Sequence, residues 1–211
     1  MNASQNGPAL EMNQHVALDW TNIDLTQESQ REERRVDSVQ FRMIEHVKAE
    51  ARHEILFDDD GKGEAADIVG ISLDNPTLPK LITVDLYHCK YSSAPEPGAR
   101  IGDMYEVCGQ AQRSVLWMHN KDRRTDLFAH LLKREALRIE SGRASRLEVG
   151  TSDRLIQIRD LSRTCSIAIR VFIVQPGLSK VQAAEHQLAI LGVTEKFLHE
   201  TYQVPLQVYC S

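Results

Sequence analysis

Ile82-Thr83-Val84-Asp85-Leu86-Tyr87-His88-Cys89-Lys90-Tyr91 is the stretch on which the fold turns. It is rich in β-branched and aromatic residues. Pro76 and Pro79 lie before it and Pro95 and Pro97 after it, so the pattern predicts a strand over 81–91. Strand side chains alternate between faces. Ile82, Val84, Leu86, His88 and Lys90 therefore share one face, and Thr83, Asp85 and Tyr87 share the other. Three apolar residues anchor the first face, which ends in an imidazole and an ammonium.

Working upstream, 66–73 (Ala-Asp-Ile-Val-Gly-Ile-Ser-Leu) reads as a second strand, with Asp67 where an acidic turn runs into it. The turn itself, Asp58-Asp59-Asp60-Gly61-Lys62-Gly63-Glu64, separates it from a short strand at 54–57. Its carboxylates lack the alternating spacing and closing Glu of a calcium loop, so a solvated hairpin turn is expected. Before that, Val39, Phe41, Ile44, Val47 and Ala51 recur at helical intervals, with Asp37 or Ser38 as N-cap, predicting a helix over 37–51. Downstream, helical patterning runs over 103–118, 125–139 and 153–161. The apolar run Ser166–Val174 follows as a buried strand, then helices over 181–190 and 194–202, and a last strand at 206–209. This order predicts an α/β domain with a mixed sheet covered by helices.

The chain has 211 residues, 42% hydrophobic and 26% charged, with a net charge of -5. That suits one compact domain at 37–211 preceded by an arm at 1–36, in which Val16, Leu18 and Trp20 would find a groove. The longest apolar runs are too short to span a bilayer, and the first residues lack the basic and apolar regions of a secretory signal. Cys89, Cys108, Cys165 and Cys210 are far apart, which reads as reduced thiols in a cytoplasmic protein rather than a disulfide or zinc framework. An acidic net charge argues at first sight against nucleic acid. Its distribution is uneven: residues 1–66 hold 14 Asp/Glu and 7 Lys/Arg, whereas residues 121–163 hold 11 Lys/Arg and 7 Asp/Glu. Lys121, Arg123 and Arg124, at the start of a helix, are candidates to grip a phosphate backbone.

An acidic residue opening one strand and an x-Lys motif closing the next resembles the PD-(D/E)XK nuclease superfamily. Asp67 matches its aspartate and Lys90 its lysine. His88 stands where the family has Glu, Asp or, in Mrr-like enzymes, Gln, and His88-Cys89-Lys90-Tyr91 is similar to the Mrr-like Gln-Cys-Lys-Tyr. The helix with Gly109-Gln110-Ala111-Gln112 is similar to the family's following helix, which carries a glutamine near the site; Gln112 is the preferred candidate. The resemblance covers residues 37–120. It implies a restriction-endonuclease-like fold, a mixed β-sheet flanked by helices, and metal-dependent hydrolysis of DNA in bacterial defence or restriction. The alternative it leaves is a degenerate module that binds nucleic acid or docks on a helicase or nuclease partner. A homo-oligomer is compatible with either.

Phosphodiester hydrolysis calls for a divalent metal, Mg²⁺ or Mn²⁺, held by oxygen ligands. Asp67 would be the bridging ligand, with the carbonyl of Cys89 as a second oxygen. Lys90 would position water or stabilise charge on the phosphate. His88 has three readings: ligand to a softer metal such as Mn²⁺, base or proton shuttle, or mark of a degenerate site. Glu64, three residues before Asp67, is the first choice for a missing carboxylate, with Glu45 and Glu50 as the others. Asp85 points to the wrong face.

Overall fold

The computed structural model describes residues 14–117 and 125–211. Seven strands form one mixed sheet: β1 (His15–Ala17), β2 (Ile55–Asp58), β3 (Ile68–Leu73), β4 (Leu81–Cys89), β5 (Leu147–Val149), β6 (Ser166–Val174) and β7 (Leu206–Cys210). Their spatial order is β1-β7-β6-β4-β3-β2-β5. β2, β3 and β4 form an antiparallel meander, with Ile68 opposite Tyr87 and Gly70 opposite Asp85. β4 then pairs in parallel with β6 along its whole length, from Leu81–Ser166 to Cys89–Val174. A parallel neighbour needs a long crossover, and three helices occupy it: α1 lies earlier (Val39–Ala49), and α2 (Gly102–Arg113), α3 (Asp126–Glu140) and α4 (Ser152–Leu161) form the connection. α5 (Glu185–Lys196) carries the chain from β6 to β7, also parallel.

Strand parity divides the core in two. Val69, Ile71, Ile82, Val84, Leu86, Ile169, Val171 and Ile173 face α2 to α5, against Met104, Val107, Phe128, Leu131, Leu155 and Leu191. Ile68, Tyr87, Cys89, Phe172, Val174 and Tyr209 face α1, against Val39, Met43, Ile44 and Val47. Burial on both faces from Val171 to Val174 is why the second half of β6 is an unbroken apolar run. α1 begins at Ser38, whose Oγ accepts the Phe41 N–H at 3.2 Å. The N-terminal segment joins this second layer: Trp20 and Leu25 are buried in it, and β1 pairs with β7.

The structure departs from the sequence expectations in three places. The helices expected over 181–190 and 194–202 are one element, α5, which continues into a π-helical turn at Phe197–Thr201. Its start moves to Glu185 because Gln187 accepts the Ala184 N–H, while Val181 lies exposed. Gly192 inside it costs about 1 kcal/mol at most, outweighed by burial of Leu191 and Leu198. The three-residue strands β1 and β5 carry too little alternation to be read in advance. Finally, the acidic turn is solvated only in part: Gly61, Lys62 and Gly63 are exposed, but Asp58 and Asp59 are buried. The four cysteines are free and buried. No helix among the described residues is long and apolar enough to cross a membrane.

Candidate functional site

Asp67 immediately precedes β3 and is 3% exposed. Its Oδ2 accepts the backbone N–H of Cys89 at 2.8 Å. The antiparallel register sets this contact, because Ile68 opposite Tyr87 brings the start of β3 alongside the end of β4. Asp59 donates its N–H to the Asp67 carbonyl at 3.0 Å, and Gln40 of α1 bridges the Asp58 carboxylate and that same carbonyl. The turn between them needs two left-handed residues, supplied by Gly61 (φ 114°) and Gly63 (φ 85°). It bends so that Asp60, Glu64 and Asp67 place carboxylate oxygens within 4.8 Å of one another. Glu64 also accepts the Gly61 N–H at 2.7 Å, and Asp60 accepts from Ser29.

These carboxylates perturb each other. Burial, then the charge of Glu64, holds Asp67 well above the usual carboxylate range, although the Cys89 N–H opposes this. Burial also raises Glu64. Asp67 with Glu64 is thus a crowded, partly desolvated oxygen set, the chemistry that a hard divalent cation relieves.

Lys90 lies one residue beyond β4. Its Nζ meets Glu106 of α2 at 2.8 Å and Glu28 of the N-terminal segment at 3.0 Å. Burial alone would lower its pKa, but the bonds to Glu106 and Glu28 outweigh it and keep Lys90 protonated. Glu28 also accepts the Tyr91 N–H and adds negative potential at Asp67. The segment ahead of α1 therefore contributes a carboxylate between the aspartate and the lysine.

His88 shares the α2 side of β4 with Leu86. Its Nε2 lies 2.7 Å from the Ser114 Oγ, and burial followed by the Arg113 charge pushes its pKa down to about 3. It is a neutral, hydrogen-bonded imidazole. The carboxylate group around Asp67 does not include it. The Cys89 thiol points into the α1 layer, and burial raises its pKa well above normal. Gln112 donates to Thr194 of α5 at 3.1 Å and lines a cavity between α2 and α5. Gln110, one half-turn away, instead lines a cavity shared by Glu64 and His88. Glu45 of α1 pairs with Lys48, and Glu50, the residue after α1, with Arg52; both glutamates lie outside the acidic group. Lys121, Arg123 and Arg124 lie outside the described residues.

Part of the basic segment does reach this region. Arg138, Arg143 and Arg146, with Arg31 and Lys62, line a cavity of about 320 Å³ that also contains Asp58 and Asp60. Arg134 pairs with Asp59 and donates to the Asp59 and Lys62 carbonyls; Arg146 donates to the Asp58 and Asp60 carbonyls. Burial and the neighbouring Arg134 and Arg138 charges lower the pKa of Arg146. Asp58 and Asp59 are thus buried because Arg134 of α3 and Arg146, just ahead of β5, cover them.

Asp85 stands apart on the α1 face. It accepts from Arg170 Nε at 2.7 Å and Nη2 at 2.6 Å, and lies 2.8 Å from His53 Nε2. Burial would raise its pKa; the bonds from His53 and Arg170 hold it below normal. Its partners are all satisfied by structure, as its strand parity implied.

Asp60, Glu28, Glu106 and the arginine cavity were not read from sequence. Asp60 had a signal, its place seven residues before Asp67 in a glycine-containing turn. Glu28 had none, because only the docking of the N-terminal segment brings it near. No family model matches the chain, and no curated protein or solved structure is significantly similar to it.

Proposed function

We propose that the chain is a divalent-metal-dependent nuclease acting on DNA, of restriction-endonuclease-like type. The observation that carries this reading is the placement of Asp67 and Lys90 at adjoining ends of β3 and β4, with Glu64 and Asp60 completing an oxygen group beside Asp67. The element order supports it: a helix, a three-stranded meander, a helix and then a strand parallel to the last of the three.

Asp67, Glu64 and Asp60 would hold Mg²⁺ or Mn²⁺, since all three offer hard oxygens. When bound, the metal would polarise the phosphoryl group and lower the pKa of a water. Lys90 stays protonated, so its part is to stabilise negative charge on the phosphate rather than to take a proton. Glu28 and Glu106 fix its ammonium in place. The arginine-lined cavity beside Asp60 would take a neighbouring phosphate of the strand. The test is a cleavage assay on single- and double-stranded DNA with Mg²⁺ and with Mn²⁺, comparing parent, Asp67→Asn and Lys90→Ala. Equal rates for all three would overturn the assignment.

His88 favours a second reading, a non-catalytic module of the same fold docked on a nucleic acid, helicase or nuclease partner. It replaces a carboxylate at the variable motif position with a neutral imidazole tied to Ser114. Under that reading the protein binds DNA in a salt-sensitive way, shows no thermal shift with Mn²⁺ and cleaves only as His88→Glu, if at all.

A further inference from the structure

We propose that the cavity between Glu64 and Trp117 receives one unpaired nucleotide of a DNA strand, which makes the preferred substrate single-stranded or frayed DNA. The cleavage half of this claim rests on the nuclease reading above; the binding half does not.

The cavity has a volume of about 350 Å³, within the range of small-ligand sites. Its walls carry two polar groups without a partner among the described residues, and an apolar wall. Arg113, at the end of α2, has no hydrogen bond or ion pair among the described residues, so an exposed guanidinium faces the cavity without a counter-ion. Gln110, one turn earlier, has an Oε1 that is buried and unpartnered. Trp117 and Leu116, in the 3-10 turn Ser114–Trp117, form an apolar wall, with His130 of α3 4.9 Å from the indole, centroid to centroid. A free cation, an open amide and an indole are the complement of a phosphate, a base edge and a base face. A glutamine amide pairs well with the N6 and N7 edge of adenine. An indole wall accepts any base by stacking.

The fourth wall residue fixes the relation to the chemistry. Glu64 belongs both to this cavity and to the carboxylate group with Asp60 and Asp67. Asp60 in turn lines the arginine cavity. The acidic group therefore borders both the Trp117 cavity and the arginine-lined one, a path that a single strand can follow. A base in a duplex would have to leave its stack to enter, which penalises intact double strands.

Binding is measured in EDTA, so that neither metal nor cleavage is required, by the anisotropy of fluorescein-labelled strands, with the monophosphate as competitor; in the parent the emission of Trp117 is a second readout, for which Trp20, the other tryptophan, buried in the α1 layer, serves as the internal reference. The probes are a dodecamer of deoxyadenosine, its duplex with the thymidine dodecamer, and deoxyadenosine monophosphate. The single strand is expected to quench Trp117. Trp117→Ala should weaken its binding about tenfold or more, and Trp117→Phe should restore most of it. Gln110→Leu should reduce the preference for the adenine strand over a thymidine strand. The duplex should bind at least tenfold more weakly than the single strand. Equal affinity of parent and Trp117→Ala, with both folded by circular dichroism, overturns the pocket. Monophosphate binding as tight as the strand overturns the strand substrate. Quenching without any cleavage in Mg²⁺ or Mn²⁺ sinks the nuclease reading alone, whereas cleavage indifferent to Trp117 and Gln110 sinks the pocket alone.

Discussion

The Asp67 carboxylate accepts the Cys89 N–H at 2.8 Å, fastening the start of β3 to the end of β4. One side chain therefore has two conflicting demands. As an acceptor it satisfies a buried donor that would otherwise cost about 1–3 kcal/mol. As a buried carboxylate beside Glu64 it is held well above its normal pKa. Asn meets the first demand and removes the second. Asp67→Asn is expected to raise the melting temperature in EDTA, by about 2–4 °C for each kcal/mol gained, while Asp67→Ala lowers it. Mn²⁺ at a hundredfold excess over its Kd should stabilise the parent by about 2.7 kcal/mol and neither variant. Calorimetry with and without Mn²⁺ decides this.

Lys90 and Glu106 meet at 2.8 Å, yet Glu106 is 56% exposed while Lys90 is nearly buried. Their contributions should differ accordingly. Glu106→Gln removes a partly solvated pair and is expected to change stability by less than about 1 kcal/mol, since Glu28 still holds the ammonium. Lys90→Ala removes the cation and should lower the hydrolysis rate about 100-fold. Urea denaturation alongside single-turnover cleavage separates the two.

His88 makes stability depend on pH. Its folded pKa of about 3 lies below the 6.5 of a free imidazole, so between these values the unfolded chain binds more protons. The stability it confers is complete above pH 6.5 and is lost as pH falls toward 3, by up to about 1.4 kcal/mol per unit. His88→Gln, which can still bond Ser114, should flatten that slope. The raised carboxyls, Asp67 among them, act with the opposite sign in both proteins and cancel in the comparison. Urea midpoints at pH 7, 6 and 5 give the measurement.

Gly70 makes room for His53. A Cβ on Gly70 would lie 2.5 Å from the His53 Nε2, the atom that meets Asp85. Gly70→Ala must displace the ring and take His53 from Asp85, which keeps Arg170, Arg52 and the Tyr87 hydroxyl, a loss expected at about 2–4 kcal/mol. Adding His53→Ala should recover part of it. A double-mutant cycle in urea showing strict additivity would refute the steric account.

Arg31 and Lys62 line the arginine cavity and have no ion pair among the described residues. If this surface holds a phosphate, Arg31→Ala and Lys62→Ala should each weaken DNA binding without regard to sequence. Each should also reduce the slope of log affinity against log salt by about one. Titrations between 50 and 200 mM salt, about the range over which such contacts weaken, test it.

Much of the strand pattern was legible before the structure, for a physical reason. Side chains of period two in 82–90 had to place Ile82, Val84 and Leu86 together and Asp85 opposite, and the two core layers divide there. The same parity put His88 with the α2 side and the Cys89 thiol with α1. Asp67 and Glu64 were legible as a pair because only Ala65 and Ala66 separate them. The preference for Gln112 over Gln110 did not foresee that the packing of α2 against α5 sends Gln112 to Thr194 and leaves Gln110 in the cavity with Glu64.

What sequence alone determined was local: strand parity, helix periods, and an acid and a lysine at two strand ends. What only tertiary structure decided was everything that depends on distant segments meeting. Glu28 reaches Lys90 because Trp20 and Leu25 find a place in the α1 layer. Asp58 and Asp59 of the acidic turn are buried because Arg134 and Arg146, some seventy residues or more downstream, cap its carbonyls and charges. His88 is neutral because packing against α2 buries it and places the Arg113 charge nearby. Burial and charge neighbours set ionisation, and neither can be read from the order of residues along the chain.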